Sequence, residues 1–285
     1  MADLLCSIKE TISRGGELAF SIYTSVHEQK LLNVPIAKPL LIVVISGDKA
    51  LGNNNEISCH AGQFVFLSDS PAIDMRNIPR DNGYFAMLIE FDYEHFDEIP
   101  SGTADKPDYL IGDTSLALEH CLRQFVESNS WASEGIIASR KKEILMLLYQ
   151  LGHTKIVSMM GKPKISHLIH DLFHDKRFGD VTIDYICERL AMSESTLRRK
   201  LKSEGTSVQD IKDRAKLGLG LHLLQTTTDP IGLVAEKCGY HSQSRFTDRF
   251  KGHFGLTPSE LRKTKVTDKG ENLSVLGLNE QPGQG

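Results

Sequence analysis

The sequence predicts an α+β chain: an antiparallel β barrel or sandwich with two following helices, then an all-α domain whose linker helix joins two helix-turn-helix units. Three observations predict it. From Glu17 to Phe91, apolar runs are broken by turns every ~8–12 residues, as in an antiparallel barrel or sandwich. From Ser115 the apolar spacing changes to i, i+3, i+4. In the C-terminal third, a capped helix, a tight turn and a second capped helix occur twice.

Glu17 to Val26 partly alternates, Pro39 to Ser46 is a fully apolar run, and Gly47-Asp48 and Asn53-Asn54-Asn55 read as turns. Glu56 to His60 and Gln63 to Leu67 flank Ala61-Gly62, and Tyr84 to Phe91 is the last strong strand. The Pro/Gly/Asp-rich stretch Pro100 to Asp108 leads to two helices. Ser115 to Ser128 places Leu118, Cys121, Leu122 and Phe125 on one side. Ala132 to Leu151 carries Ile136, Ile137, Ile144, Leu145, Leu147, Leu148 and Leu151, a stripe wider than one packing seam needs. Trp131, between the two, reads as an anchor. Gly152 to Pro163, with Gly, Lys and Ser and little periodicity, reads as a linker. The expected division is 1–151, a linker at 152–164, a second domain at 165–265, and a disordered tail at 266–285, rich in Gly, Asn and Gln.

The second domain begins with Ile165 to Lys176, with Ile165, Leu168, Ile169 and Leu172 inward. Thr182 caps a helix carrying Ile183, Ile186, Cys187 and Leu190, and Ser193 caps the next, with Leu197 and Leu201 inward. The pattern then repeats. Asp229 is placed to cap, Pro230 sits at the first helical position, and Ile231, Val234, Ala235 and Cys238 form an apolar stripe ended by Gly239. Ser242 caps a helix with Phe246 and Phe250 inward, Gly255 breaks it, and Thr257-Pro258-Ser259-Glu260 supplies a capping box for a third. Between the units, Ser207 to Gln225 forms one helix with Ile211, Leu217, Leu221 and Leu224 toward the core. Its Gly218 and Gly220 each cost ~1 kcal/mol against Ala, and read either as close helix packing or as a softened spacer.

Charge is divided along the chain. Of 33 basic and 37 acidic side chains, 17 and 13 lie between Ile165 and Lys265, a balance of +4, leaving 16 against 24 elsewhere. Positive charge is concentrated where phosphate neutralisation would need it. Cys6, Cys59, Cys121, Cys187 and Cys238 are scattered, odd in number and without a C-x-x-C pair, which suits reduced thiols in a cytosol. No secretory leader pattern opens the sequence and no apolar run approaches ~18 residues. The expected location is cytoplasmic, with no membrane partner.

The stretch from Asp229 to Arg262 resembles the C-terminal signature of the AraC family of bacterial transcription regulators. The resemblance runs through Ile231, Val234-Ala235, Gly239-Tyr240, Ser242, Ser244, Phe246, Phe250-Lys251, Gly255, Thr257-Pro258-Ser259 and Arg262. More loosely, Cys59 to Ile78 resembles the central hairpin of the cupin-like half-barrel that precedes the DNA-binding domain in many members. The resemblance implies a sequence-specific DNA-binding transcription regulator, an activator that recruits RNA polymerase at double-stranded promoter DNA. It also implies an N-terminal domain that senses a small effector or forms a homodimer. The helix at 132–151 either covers an open side of the barrel or also pairs with its copy, as it does in several members. The family commonly has Arg where Lys216 stands and Ala where Gly220 stands.

Two units can place two recognition helices in successive major grooves, about 34 Å apart. In the first, Ser195, Thr196, Arg198, Arg199 and Lys202 face outward. The guanidinium fork suits guanine O6 and N7, so Arg198 and Arg199 are the base-reading candidates, with Ser195 and Lys202 for phosphate. In the second, Gln243, Ser244, Thr247, Asp248 and Lys251 face outward, and Gln243 can pair with adenine N6 and N7. Asp248 stands where the family usually has Arg; a carboxylate is repelled by phosphate but can accept from cytosine N4. Arg245, Arg249 and Lys251 are the phosphate candidates. No cofactor or metal is expected: His27, His60 and His95 form no His-x-His pair, and Ile73-Asp74 stand near where a metal cupin places a later ligand. An apolar effector pocket inside the barrel is the favoured reading. The alternatives are control by protein contact at the N-terminal domain, and a cupin-type metal enzyme with an accessory DNA-binding domain.

Overall fold

The computed structural model describes residues 1–52, 57–69, 72–81, 83–97, 99, 107–159, 164–175 and 178–265. The expected turn at Asn53-Asn54-Asn55, most of the connection from Pro100, the end of the linker at 160–163 and the tail at 266–285 lie outside these residues.

Among the described residues, nine strands form two antiparallel sheets. β1 (Ser21–Ser25), β3 (Leu40–Ser46), β6 (Gln63–Leu67), β8 (Tyr84–Glu90) and β9 (Tyr109–Asp113) make one, in the order β1-β8-β3-β6-β9. β2 (Gln29–Val34), β4 (Asp48–Leu51), β5 (Ile57–His60) and β7 (Ile73–Ile78) make the other, in the order β2-β7-β4-β5. The apolar run in β3 follows from burial on both faces, because successive strand side chains point oppositely. Leu41 and Val43 join Phe64, Phe66 and Met87 beneath α1 (Ala2–Ser13), α2 (Leu116–Ser128), α3 (Glu134–Gln150) and α4 (Ile156–Met159). Ile42 and Val44 face the space between the sheets with Val65, Leu67 and Ala86.

Several expectations need correction. α1 carries no signal that the sequence reading caught, yet its Leu4 and Ile8 are fully buried. Gly47 does turn the chain, with φ +76°, but Asp48 already begins β4. The segment after Gly152 is partly helical, and Ile156 and Met159 are buried in the same core as α3. Trp131 anchors nothing: it is 66% exposed. Of the broad stripe of α3, Ile144, Leu145 and Leu148 are buried and Ile137 and Leu147 half-buried, while Ile136 and Leu151 are exposed.

The C-terminal helices are α5 (Ile165–Asp175), α6 (Ile183–Arg189), α7 (Glu194–Ser203), α8 (Val208–Thr226), α9 (Ile231–Lys237), α10 (Gln243–Phe254) and α11 (Pro258–Lys263). The first three, with the start of α8, enclose their own core of Ile169, Phe173, Phe178, Ile186, Leu197, Leu201 and Ile211. Leu168, expected inward, is exposed; Ile169 is buried as expected, and Phe173 joins it in the core. The second unit has no separate core. Leu217, Leu221 and Leu224 of α8, Val234 of α9, and Phe246, Phe250 and Phe254 of α10 are continuous with Leu31, Val34 and Tyr84 of the barrel.

Polar bonds cross the same junction. The N–H groups of Val26 and His27 donate to the Thr264 carbonyl at 2.8 and 3.0 Å. Gln29 accepts from Asn77 Nδ2 at 2.8 Å and from Gln225 Nε2 at 3.0 Å, and donates to Thr264 Oγ1 at 2.7 Å. The chain of bonds ends inside the barrel at Lys49, whose Nζ donates to Asn77 Oδ1 at 2.7 Å and lies 5.7 Å from the centre of the Tyr84 ring. Lys49 faces no carboxylate among the described residues, and burial lowers its pKa from 10.5 to about 8. The first unit meets the barrel differently, through polar groups. Lys38 pairs with Asp92 at 2.7 Å and with Asp171 of α5 at 3.1 Å. His167 of α5 stacks on Tyr93 and reaches Asp69 at 3.1 Å. Burial pushes His167 below its ordinary pKa, against the opposing charge of Asp69.

The depressed Lys49 pKa has a defined sign in stability. Between about 8 and 10.5, the unfolded chain holds a proton that the folded chain has released, so this residue's contribution rises with pH. The buried thiols of Cys59, Cys121 and Cys238, each pushed up to about 12, act in the opposite sense at alkaline pH. Comparison with Lys49→Met isolates the lysine. Urea unfolding is expected to show wild type gaining on the variant from pH 8 to 10.5, by a few kcal/mol at most; a pH-independent difference would contradict the assignment.

Candidate nucleic-acid interface

Each unit presents its second helix because its first helix is packed beneath it. In the first unit, Thr182 Oγ1 accepts from the Tyr185 N–H at 3.1 Å and Ser193 Oγ from the Thr196 N–H at 3.3 Å, so both helix starts are capped. Ala191 turns the chain at φ +48°, and the Met192 N–H closes the turn on the Cys187 carbonyl at 3.0 Å. Glu204, just past α7, accepts from the Ile165 and Ser166 N–H groups at 2.9 and 3.0 Å, which ties the start of α5 to the end of α7.

The second unit repeats this construction with one difference from expectation. Asp229 does not cap α9. Pro230 occupies the N-cap position without a side-chain cap, and Asp229 instead holds Lys237 at 2.7 Å and, through its carbonyl, Arg262 at 2.7 Å. A sequence reading favours Asp as the cap by type. Here Pro230 is the N-cap and not the first helical residue, the helix begins one residue later at Ile231, and the carboxylate finds a cation in the last turn. Gly239 turns at φ +69°, and the Tyr240 N–H bonds the Ala235 carbonyl at 2.9 Å. Ser242 caps α10, Gly255 ends it in the left-handed region, and Thr257 and Glu260 form the reciprocal capping box of α11.

Leu197 and Leu201 are buried inside α7, which turns the sequence-predicted residues outward: Ser195, Arg198, Arg199 and Lys202 are exposed and Thr196 is half-buried. On α10, with Phe246, Phe250 and Phe254 buried, Gln243, Ser244, Arg245, Asp248, Arg249 and Lys251 are exposed and Thr247 is half-buried. Two of the candidate arginines already have partners. Arg198 Nε donates to Glu194 at 2.7 Å, one turn earlier on α7. Arg249 donates to Asp213 of α8 at 2.9 Å, so this cation is tied to the linker helix. The sequence reading left out both acids. Glu194 was findable from its i, i+4 spacing to Arg198; Asp213 lies 36 positions from Arg249 and carried no local signal.

The histidines once weighed as metal ligands lie apart. His60 is exposed and pairs with Asp48 at 2.8 Å, while His95 is buried and accepts from the Asp92 N–H at 2.9 Å. Among the described residues, no three His, Cys, Asp or Glu side chains converge on a metal position, and no helix is long and apolar enough to cross a membrane.

A short supporting helix, a tight turn and an outward-facing capped helix, built twice around α8, define a double helix-turn-helix protein. A family profile described as a helix-turn-helix domain matches residues 186–264, and this C-terminal domain is of the AraC type. Over 166 residues the chain is 26% identical to the HTH-type transcriptional regulator GadX of Escherichia coli O6:H1 (strain CFT073), covering 54% of this chain and 61% of that relative. It is 26% identical over 185 residues to the urease operon transcriptional activator of Escherichia coli, covering 62% and 60%. The chain thus matches about three fifths of the length of these curated relatives. Among solved structures, an apo variant of ToxT from Vibrio cholerae strain SCE256 superposes with a TM-score of 0.63 at 16% identity, covering 87% of this chain and 98% of that one. ToxT of the same strain with an unsaturated fatty acid bound gives 0.58 at 16% identity, covering 86% and 94%. This likeness extends the α+β fold, half-barrel included, over nearly the whole chain.

The two odd glycines of α8 separate at this resolution of detail. A β-carbon at Gly220 would lie 2.8 Å from Phe246 Cε2 and 3.5 Å from Cys238 Sγ, so this glycine allows close helix packing. At Gly218 the nearest atom is Pro35 Cγ at 3.5 Å, an ordinary contact. Gly220→Ala is therefore expected to lower stability by ~1–3 kcal/mol, because the fully buried Phe246 ring must move. Gly218→Ala is expected to raise it by ~0.5–1 kcal/mol. Thermal or urea unfolding of the two variants checks the opposite signs.

Proposed function

We propose that this chain is a sequence-specific DNA-binding transcription regulator, an activator acting in the cytoplasm, with a small-molecule-responsive half-barrel at its N-terminal side. The observation that carries the reading is the pair of capped helices, α7 and α10, each packed from beneath and presenting polar and cationic side chains outward. The names of the relatives, regulators and an activator of transcription, point the same way. In this reading the partner is double-stranded promoter DNA, α7 and α10 enter successive major grooves, and RNA polymerase is the recruited enzyme. The division into a half-barrel domain ending near residue 151, a linker and a DNA-reading domain over 165–265 belongs to the same proposal.

Arg198 and Arg199 read guanine, Ser195, Thr196 and Lys202 shape and hold the phosphate approach, and Gln243 reads adenine. Ser244 and Thr247 line the second reading face, where Asp248 accepts from cytosine N4. Arg245, Arg249 and Lys251 serve phosphate. Selection of random duplexes by the full chain is expected to enrich a two-part site, and enrichment of nothing over bulk competitor would overturn the reading. Within the selected site, Arg198→Ala or Arg199→Ala is expected to cost ~1–3 kcal/mol at one base pair and relax specificity there. Lys251→Ala is expected to weaken binding to all sequences alike and to flatten the slope of log K against log salt by about 1.

For the effector, the reading is a carboxylic acid with an apolar body. ToxT, similar in fold, has been solved with an unsaturated fatty acid. In this chain the buried ammonium of Lys49, on the four-stranded sheet, faces no carboxylate among the described residues, and Tyr84 Oη and Ser25 Oγ, from cross-strand partners in the five-stranded sheet, are buried without hydrogen-bond partners. Added unsaturated fatty acid is expected to raise the melting temperature of the full chain, and Lys49→Met to remove that rise. No rise at any concentration discards the acid effector. A homodimer fits the apolar surface at the start of α3, where Trp131 and Ile136 are exposed.

A further inference from the structure

The two units meet along the linker helix, where one polar side chain bonds to both. Lys216 stands near the middle of α8, between the residues that close the first core, Ile211 and Ala215, and those that enter the second, Leu217 and Leu221. Its Nζ donates to the Gly239 carbonyl at 2.6 Å, at the tight turn of the second unit. The same ammonium lies 5.0 Å from the centre of the Tyr240 ring and 5.6 Å from that of Phe178. Tyr240 packs on Phe246 beneath the second reading helix, whereas Phe178 stacks on Phe173 in the core of the first unit. One cation therefore touches aromatic faces from both units and a backbone carbonyl of the turn that aims α10.

The fit around this point is close. Gly239 adopts φ +69°, and a β-carbon there would lie 3.3 Å from Phe178 Cβ and 3.2 Å from Lys216 Nζ. Burial and neighbouring Lys212 lower the Lys216 pKa, yet the geometry satisfies the ammonium with a carbonyl and two ring faces. One turn earlier on α8, Asp213 holds Arg249 of α10. α8 runs from the first unit's own core into the core that the second unit shares with the barrel, and the two could turn relative to each other about it. A side chain bonded across both removes that freedom.

We propose that Lys216 is a positioning residue: by joining Phe178, Gly239 and Tyr240 it fixes α10 relative to α7, and so fixes the spacing between the two half-sites that the chain accepts on DNA. The proposal rests on the DNA-reading function above. An ammonium suits the position because it can donate to the carbonyl while lying over two rings. Arginine can do the same through a planar guanidinium. Methionine fills the volume but offers neither the donor nor the charge.

The test is in vitro selection from random duplex DNA with full-length wild type, Lys216→Met and Lys216→Arg, reading the spacing between the two enriched motifs, with a thermal melt of each protein. Wild type is expected to enrich one spacing. Lys216→Met is expected to keep both motifs but spread them over two or more spacings, and to lose about tenfold in affinity for the wild-type site. Lys216→Arg is expected to restore the single spacing. A single unchanged spacing in Lys216→Met overturns the proposal. So does loss of both motifs together with a lowered melting temperature, which would make Lys216 a support of the fold alone. Failure of wild type to enrich any motif is a different result: it removes the DNA-reading function itself.

Discussion

Phe246, Phe250 and Phe254 stand one turn apart on α10, all without solvent exposure, with adjacent ring centres 5.5 and 4.5 Å apart. The rest of the molecule depends on where that row is buried. It packs toward α8 and α9 and onward to Leu31 and Val34 of the barrel, so one apolar core holds both the β half-barrel and the second reading unit. Burial of a phenylalanine side chain is worth roughly 1.5–3 kcal/mol, and three in a row fix the rotation of α10. That rotation sends Gln243, Ser244, Asp248 and Lys251 to the outside. The apolar row thus sets both which side chains α10 presents outward and what it shares with the half-barrel.

The first unit is held by other means. Its core is its own, and its described links to the barrel are charged or polar: Lys38 with Asp171, and His167 with Asp69 and Tyr93. Such contacts are individually modest and depend on desolvation and geometry. Apolar contact over a broad face does not shift by small steps, whereas a few polar bonds can exchange with water. The barrel therefore meets the second unit through a shared apolar core and the first unit through polar contacts at α5.

Much of this was legible in the sequence because it is local. The caps at Thr182, Ser193, Ser242 and Thr257 follow from side-chain oxygens that reach an N–H three residues ahead, and all four are seen. The inward rows Leu197–Leu201 and Phe246–Phe250 follow from helical period, and the strand at Leu40–Ser46 from its unbroken apolar run. What escaped is long-range or ambiguous by type. β2, with Gln29 and Lys30 at its start, reads as polar because Gln29 is buried in a bonded network and not in an apolar layer. Asp229 is a cap by composition and an ion-pair partner in fact, and the bond of Lys216 to Gly239 joins residues 23 positions apart. The candidate reading residues were placed by face, but their acidic partners Glu194 and Asp213 emerged only from the fold.

The continuity of the barrel with α8 and α10 bears on how the molecule can be divided. Cutting the chain between α4 and α5 severs covalent connection without uncovering Leu217, Leu221 and Leu224, so the two pieces would remain bound to each other as a nicked pair. Expressed by itself, the carboxyl-terminal piece would turn toward water the greasy flank that Leu31 and Val34 now cover, and would seek a replacement surface through self-association.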